Sequence, residues 1–101
     1  MSMTYVDMYE NERRAIEISI RDQDDATWDP TSAYASVIDE DGETVVTEGV
    51  AYVTDNLIYT IIDSTVTETP GNYQVIWRIT RTSGGQTYTY YHKTVLTVKE
   101  L

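Results

Sequence analysis

The chain has 101 residues, with 17 acidic against 7 basic side chains and no cysteine, so its formal net charge at pH 7 is −10. This length predicts one domain. The absence of cysteine excludes disulfides, zinc ribbons and thiol nucleophiles. An acidic surface repels phosphate backbones and anionic lipids, so we expect neither a nucleic-acid partner nor a membrane partner.

The first segment, residues 4–11, carries Tyr5, Val6, Met8 and Tyr9 without a clear period. We interpret residues 1–11 as an N-terminal arm and residues 12–101 as a single β-sandwich domain. The start of the chain lacks the basic and apolar regions of a signal peptide. A disordered tail has no need of apolar side chains, so the four named residues are candidates for docking on a neighbour.

Residues 13–20 alternate between apolar and polar side chains, with Ile16, Ile18 and Ile20 on one face, which predicts a strand. Residues 21–30 are rich in Asp and end at Pro30, which predicts a loop. Trp28 in this loop either caps one end of the domain or marks a contact site.

The same loop holds the best candidates for metal ligands: Asp22, Asp24, Asp25 and Asp29. Calcium accepts roughly six to eight oxygen ligands from irregular loops. The spacing of these residues does not match an EF-hand, so we expect no metal site and no cofactor. A second acidic stretch, residues 39–43, is better explained as a hairpin turn, because Asp41-Gly42 supplies the positive φ that tight turns need.

Further strands are predicted over residues 32–39, 43–47, 51–54 and 57–62. The last of these is apolar on both faces, as in an interior strand or a strand that also meets a partner. Residues 72–80 alternate most strongly, and Trp77 is expected in the core. A Gly-Gly turn at 84–85 leads into a final strand over residues 86–98. About seven short strands with frequent turns predict an all-β fold, an immunoglobulin-like antiparallel β-sandwich.

Three tyrosines in the final strand, Tyr88, Tyr90 and Tyr91, cannot all share one face of a sheet. At least one is therefore expected to point outward, where Tyr is favoured at protein interfaces. The alternative places Tyr88 and Tyr90 in the core and packs Tyr91 against a neighbouring strand.

No catalytic arrangement is visible in the sequence. His92 is the only histidine, no Gly-x-Ser-x-Gly turn occurs, and one histidine without cysteine does not make the usual zinc site. Gly84-Gly85 leads into a strand rather than a helix, which argues against a phosphate-binding loop. We therefore expect no catalytic residue and no enzyme, and we expect His92 to be an ordinary surface or edge-strand residue.

The segment over residues 69–75 resembles the corner that opens strand F of immunoglobulin-like domains. In those domains a Tyr hydroxyl bonds back to the preceding backbone, and Tyr73 matches that residue. Val75 stands where antibody domains have their second cysteine.

The order of segments is also similar to that of small bacteriophage virion domains, namely the N-terminal module of upper-baseplate proteins and stand-alone head–tail or tail accessory proteins. The segments that carry this resemblance are residues 15–20, 30–33, 39–42, 57–59 and 70–77. The resemblance implies a non-enzymatic structural protein of the virion, assembled in the host cytoplasm. It would dock on other virion proteins in the head–tail connection, the tail or baseplate, or the capsid surface, as a homo-oligomer or symmetric array.

The alternative is a carbohydrate- or cell-surface-binding module. Trp28 and the tyrosines at 88, 90 and 91 would stack on sugar rings, and the loop from Asp22 to Asp29 would hold calcium.

Overall fold

The computed structural model describes residues 2–19, 32–54 and 57–101, and within them eight strands form two sheets that enclose one core. The strands are β1 (Ser2–Tyr9), β2 (Arg14–Ser19), β3 (Ser32–Asp39), β4 (Thr44–Val50), β5 (Tyr52–Thr54), β6 (Leu57–Ile62), β7 (Gly71–Ser83) and β8 (Gln86–Lys99). The one helix in these ranges, α1 (Ser64–Thr67), has a single turn. The predicted all-β sandwich is confirmed.

The larger sheet has the strand order β1-β8-β7-β3-β4, and the smaller has the order β2-β6-β5. The middle of the larger sheet and the whole of the smaller match the arrangement of immunoglobulin-like sandwiches. Two details differ from the expectation. There are eight described strands instead of about seven, and β1 runs parallel to β8, so the larger sheet is mixed. This is possible because β2, which follows β1, belongs to the other sheet.

The residues expected to form an N-terminal arm instead form strand β1 at the edge of the larger sheet. Ser2 pairs with His92 and Tyr9 pairs with Lys99. Met8 faces the core and is completely buried, whereas Tyr5 faces outward. The sequence of β1 does not alternate between apolar and polar residues, because both faces of this strand carry apolar side chains.

The core lies between the two sheets and is built by the alternating strands that the sequence predicts. Trp77 is completely buried, and Ile16 and Ile18 of β2 face it from the smaller sheet's side of the core. On β3, the buried residues Ala33, Ala35 and Val37 alternate with half-buried neighbours. Ile20, the third residue of the predicted β2 face, lies outside the described residues.

The turn chemistry also follows the sequence. The Asp39 carboxylate accepts hydrogen bonds from the backbone N–H groups of Asp41 and Glu43, at 3.0 and 2.9 Å, and Gly42 has φ +84°. The predicted corner is present as well, since the Tyr73 hydroxyl donates to the carbonyl oxygen of Thr69.

Candidate protein-docking surfaces

β7 and β8 are the longest of the described strands, and together they form a hairpin. In this hairpin Gly71 pairs with Val98, and Ser83 pairs with Gln86. The neighbouring strands are shorter. The pairing of β3 with β7 ends at Thr80, and the pairing of β1 with β8 begins at His92. The outer part of the hairpin, residues 81–91, therefore extends past both neighbouring strands. We call this part the hairpin tip.

The three candidate tyrosines lie on the hairpin tip, and all are exposed: Tyr88 by 46%, Tyr90 by 45% and Tyr91 by 52%. Tyr90 pairs with Ile79 and Tyr91 with Arg78, so they point to opposite faces of the hairpin. An outward tyrosine was expected, but the alternative of a buried Tyr88 and Tyr90 is wrong. The described parts of β1 and β3 end before these residues and therefore do not cover them.

The four candidates on β1 divide between the two faces of that strand. Tyr5 is 75% exposed and Tyr9 is 50% exposed, and both point away from the core. Val6 is half-buried against the core, and Met8 is part of it. The interpretation of Met8 as an interface residue is therefore corrected, because its side chain has no exposed surface to offer a partner.

Charge is distributed unevenly over the molecule. Strands β7 and β8 contain no Asp or Glu but carry Arg78, Arg81, Lys93 and Lys99, which are four of the seven basic residues of the chain. Among the described residues, acidic side chains concentrate in the turn at 39–43, at the opposite end of β7 from the tip. The hairpin tip itself carries no negative charge.

Sequence reasoning missed a cluster on the outer face of the larger sheet. The Arg78 guanidinium lies 5.1 Å from the ring centroid of Tyr34 and 2.7 Å from a carboxylate oxygen of Glu48. Glu48 has φ +45°, in the left-handed region, and the pairing of β3 with β4 shifts register here. Bulges of this kind redirect side chains. The gap between the predicted strands 43–47 and 51–54 was the sequence feature that fell at this place.

A second apolar surface lies on the outer face of the smaller sheet. The one sign of it in the sequence is that both faces of β6 are apolar. Leu57 and Ile61 point out of the smaller sheet and are each 37% exposed, while Ile58 and Ile62 are buried. The rings of Tyr52 and Tyr59 stack at 5.2 Å beside them. Between the sheets on this side is a groove of about 450 Å³, lined mainly by apolar side chains of β4 and β6.

His92 is buried, not on the surface as expected. It lies within hydrogen-bonding distance of the Thr4 hydroxyl, at 3.1 Å, and that hydroxyl is 2.8 Å from the Thr94 hydroxyl. Burial lowers the pKa of His92 below its usual value. The imidazole ring thus belongs to a chain of hydrogen-bonding groups that joins β1 to β8. We therefore interpret His92 as a residue that stabilises the fold.

Metal binding has little support in the described ranges. No three His, Asp or Glu side chains come together there as a metal site, and the Asp39 carboxylate is engaged in its own turn. The candidates Asp22, Asp24, Asp25 and Asp29, together with Trp28, lie outside the described residues. Within those residues, no helix is long and apolar enough to cross a membrane.

No protein family and no curated protein matches the chain. Among solved structures it is similar to a family 123 glycoside hydrolase from Clostridium perfringens, studied for glycolipid glycan hydrolysis, at 9% identity and a TM-score of 0.53. The match covers 97% of this chain and 23% of that one, so the chain spans about a quarter of the hydrolase.

The expectation that the chain is not an enzyme is contradicted by this likeness, because part of an enzyme chain has the same fold. At 9% identity the likeness shows the fold alone, and it assigns no catalytic residue to this chain.

Proposed function

We propose that this domain is a structural module of a bacteriophage virion that docks on neighbouring subunits through the hairpin tip. The supporting observation is the group of three exposed tyrosines, Tyr88, Tyr90 and Tyr91, on a hairpin that extends past the sandwich. Tyrosine buries a large area at little cost in side-chain entropy, which suits it to interfaces.

The hairpin tip offers an aromatic contact, because its exposed tyrosines lie on both faces of the hairpin and pack against a neighbour. Because the tip lacks acidic residues, it suits a neutral or acidic neighbour. Many copies in a symmetric particle would let individually modest contacts hold. The partners in this proposal are other virion proteins, in the head–tail connection, the tail or baseplate, or the capsid surface.

The test is incorporation into particles. Virions are purified from cells infected with a phage that encodes the chain, and the chain is quantified by mass spectrometry. A double variant, Tyr88→Ser with Tyr91→Ser, is expected to fold normally and to be depleted from particles at least tenfold. The control is Tyr52→Ser, which changes a tyrosine of similar exposure on the smaller sheet. Normal incorporation of the double variant, or absence of the wild-type chain from particles, would refute the proposal.

Deleting residues 2–10 is a poor substitute for this test. The deletion removes Met8 from the core and the whole of β1 from the larger sheet. A loss of incorporation would then report on unfolding and not on docking.

The second candidate function is carbohydrate binding. It is favoured by the likeness to part of a glycoside hydrolase chain and by exposed tyrosine rings, which stack on sugars. A glycan array with the purified domain, with and without calcium, tests it. Binding that is lost in the Tyr88→Ser, Tyr91→Ser variant would support this function, and an array without any bound glycan would refute it.

A further inference from the structure

The outer face of the larger sheet is organised in rows across its three middle strands. From β3 through β7 to β8, the rows are Ile38, Gln74 and Val95; Ser36, Ile76 and Lys93; and Tyr34, Arg78 and Tyr91. Residues paired across strands share a face, so these nine side chains form one continuous surface. The surface is mostly apolar and aromatic, and it contains no acidic residue.

We propose that this face is a two-fold interface between two copies of the chain. β7 is the middle strand of the order β1-β8-β7-β3-β4. A two-fold axis that lies in the interface and runs along β7 therefore places β8 of one copy on β3 of the other. Val95 then meets Ile38 of the second copy, and Ile76 meets its own counterpart. Such self-complementary contacts characterise two-fold dimers, and packed sheets align their strands within roughly 30°.

The nine residues of this face include two positive charges, on Arg78 and Lys93, and no negative charge. Two copies that each carry a net charge of −10 repel one another. Asp39 and Glu40 line one end of the face, beside Ile38 and Gln74. Two further acidic residues border it in ion pairs, since Asp7 lies 3.4 Å from Lys99 and Glu48 lies 2.7 Å from Arg78. The positive side chains of the face offset part of the repulsion between two copies.

A pair of opposite charges indicates that the partner on this face is a second copy of the chain. The backbone N–H of Glu48 donates to the Ser36 hydroxyl at 3.0 Å, so Glu48 stands beside the middle row. The proposed axis brings Lys93 of the second copy to the same place, because Lys93 and Ser36 occupy the two ends of that row. The two-fold symmetry repeats this contact, so the interface contains two pairs of Lys93 with Glu48.

The axis also brings the two Arg78 side chains near each other. Each guanidinium is already neutralised by its own Glu48 and covered on one side by the Tyr34 ring. The repulsion between them is correspondingly reduced.

Cysteine cross-linking tests the geometry directly, because the chain has no cysteine of its own. Ile76→Cys places a thiol beside the axis, where two copies bring their thiols together. The matched control is Ile61→Cys, on the outer face of the smaller sheet. Under mild oxidation we expect disulfide-linked dimers to form at least tenfold faster for the first variant. Equal rates, or faster linkage at position 61, would overturn the proposal.

Light scattering on the wild-type chain supplies the second measurement. We expect a concentration-dependent dimer whose dissociation constant rises more than tenfold in Lys93→Glu and changes little in Lys93→Arg. Urea unfolding of each variant confirms that it is folded. A wild-type chain that stays monomeric up to millimolar concentration would overturn the interface.

The interface shares Tyr91 with the hairpin tip, but its tests at positions 76 and 93 leave the tip, residues 81–91, unchanged. A dimer that is never incorporated into particles would refute the virion role alone. Incorporation of a chain that fails the cross-linking test would refute the interface alone.

Discussion

The indole N–H of Trp77 donates to the hydroxyl of Thr94 at 2.9 Å, and both side chains are buried. The Thr94 hydroxyl in turn lies 2.8 Å from that of Thr4, which reaches His92. A chain of polar groups thus crosses three neighbouring strands, β7, β8 and β1, on the core side of the larger sheet. A buried polar group costs stability only when it lacks a partner, and these groups supply partners for one another.

Thr94→Val is expected to destabilise the domain by about 1–3 kcal/mol. Valine has nearly the same shape, but it leaves the Trp77 N–H buried without an acceptor. Urea unfolding at pH 7 measures the change. The control, Thr89→Val, alters an exposed residue of the same strand and is expected to cost less than about 0.5 kcal/mol. Equal midpoints for the wild type and Thr94→Val would show that the indole bond contributes nothing.

The stability of the domain is expected to decrease in mild acid because of His92. Burial lowers the pKa of its imidazole in the folded state, so folding favours the neutral ring. Its contribution is therefore fully present above the unfolded pKa, about 6.5, and is lost as the pH falls through the lower folded value.

The measurement is the free energy of unfolding of the wild type and of His92→Gln between pH 5 and 8. The difference between the two proteins isolates His92 from the carboxylates, which both share. This difference should be constant above about pH 6.5. Below that pH, the free energy of unfolding of the wild type should fall relative to that of the variant. A difference that does not depend on pH would contradict the assignment.

Met8 and Tyr5 should respond very differently to truncation although they lie on the same strand. Met8→Ala leaves a cavity in the core and is expected to cost about 2–5 kcal/mol. Tyr5→Ala changes a side chain that is 75% exposed and is expected to cost less than about 0.5 kcal/mol. Thermal unfolding of both variants checks the orientation of β1. Similar losses in the two variants would contradict it.

Tyr73→Phe removes the hydroxyl that bonds to the Thr69 carbonyl oxygen and is expected to cost about 0.5–1.5 kcal/mol. Burial raises the pKa of Tyr73, and the nearby charges of Asp39, Glu40 and Glu68 raise it further. The contribution of the hydroxyl is thus present below the unfolded pKa of about 10 and is lost as the pH rises through the folded value. Urea unfolding at pH 8 and pH 11 tests both statements, with the exposed Tyr9→Phe as the control.

Strand alternation predicted the interior of this fold well and its edges poorly. The strand from Ser32 to Asp39 has the predicted bounds, because one of its faces is buried and the other is not. The strand from Leu57 to Ile62 also has the predicted bounds although both of its faces are apolar, because Asp55-Asn56 and Asp63 flank it in the sequence. β1 was missed because Tyr5 and Tyr9 on its outer face are as apolar as Val6 and Met8 on its inner face. Its parallel pairing with β8 is a long-range contact that no local pattern encodes.

The candidate surfaces were predictable to a similar degree. Tyrosines at positions 88, 90 and 91 cannot all face the same side of a strand. That argument predicted an exposed tyrosine in this part of the final strand. It could not reveal that β1 and β3 end before Tyr88, which decides how much of the hairpin is exposed. The Arg78–Glu48 pair escaped because a register shift between two strands, not sequence spacing, brings these side chains together.

The parallel pairing of β1 with β8 has a practical consequence for anyone who labels this protein. Because Ser2 lies beside His92, a reporter fused before residue 2 would emerge next to the hairpin tip and obstruct its tyrosines. Lys99 lies beside Tyr9, at the far end of β8 from the tip. Thirteen residue steps of β-strand span about 43 Å, and the long dimension of the molecule is 47 Å. A fluorophore or affinity tag placed after Leu101 therefore leaves the tip accessible, and surface immobilisation through that end presents the tyrosines to solution.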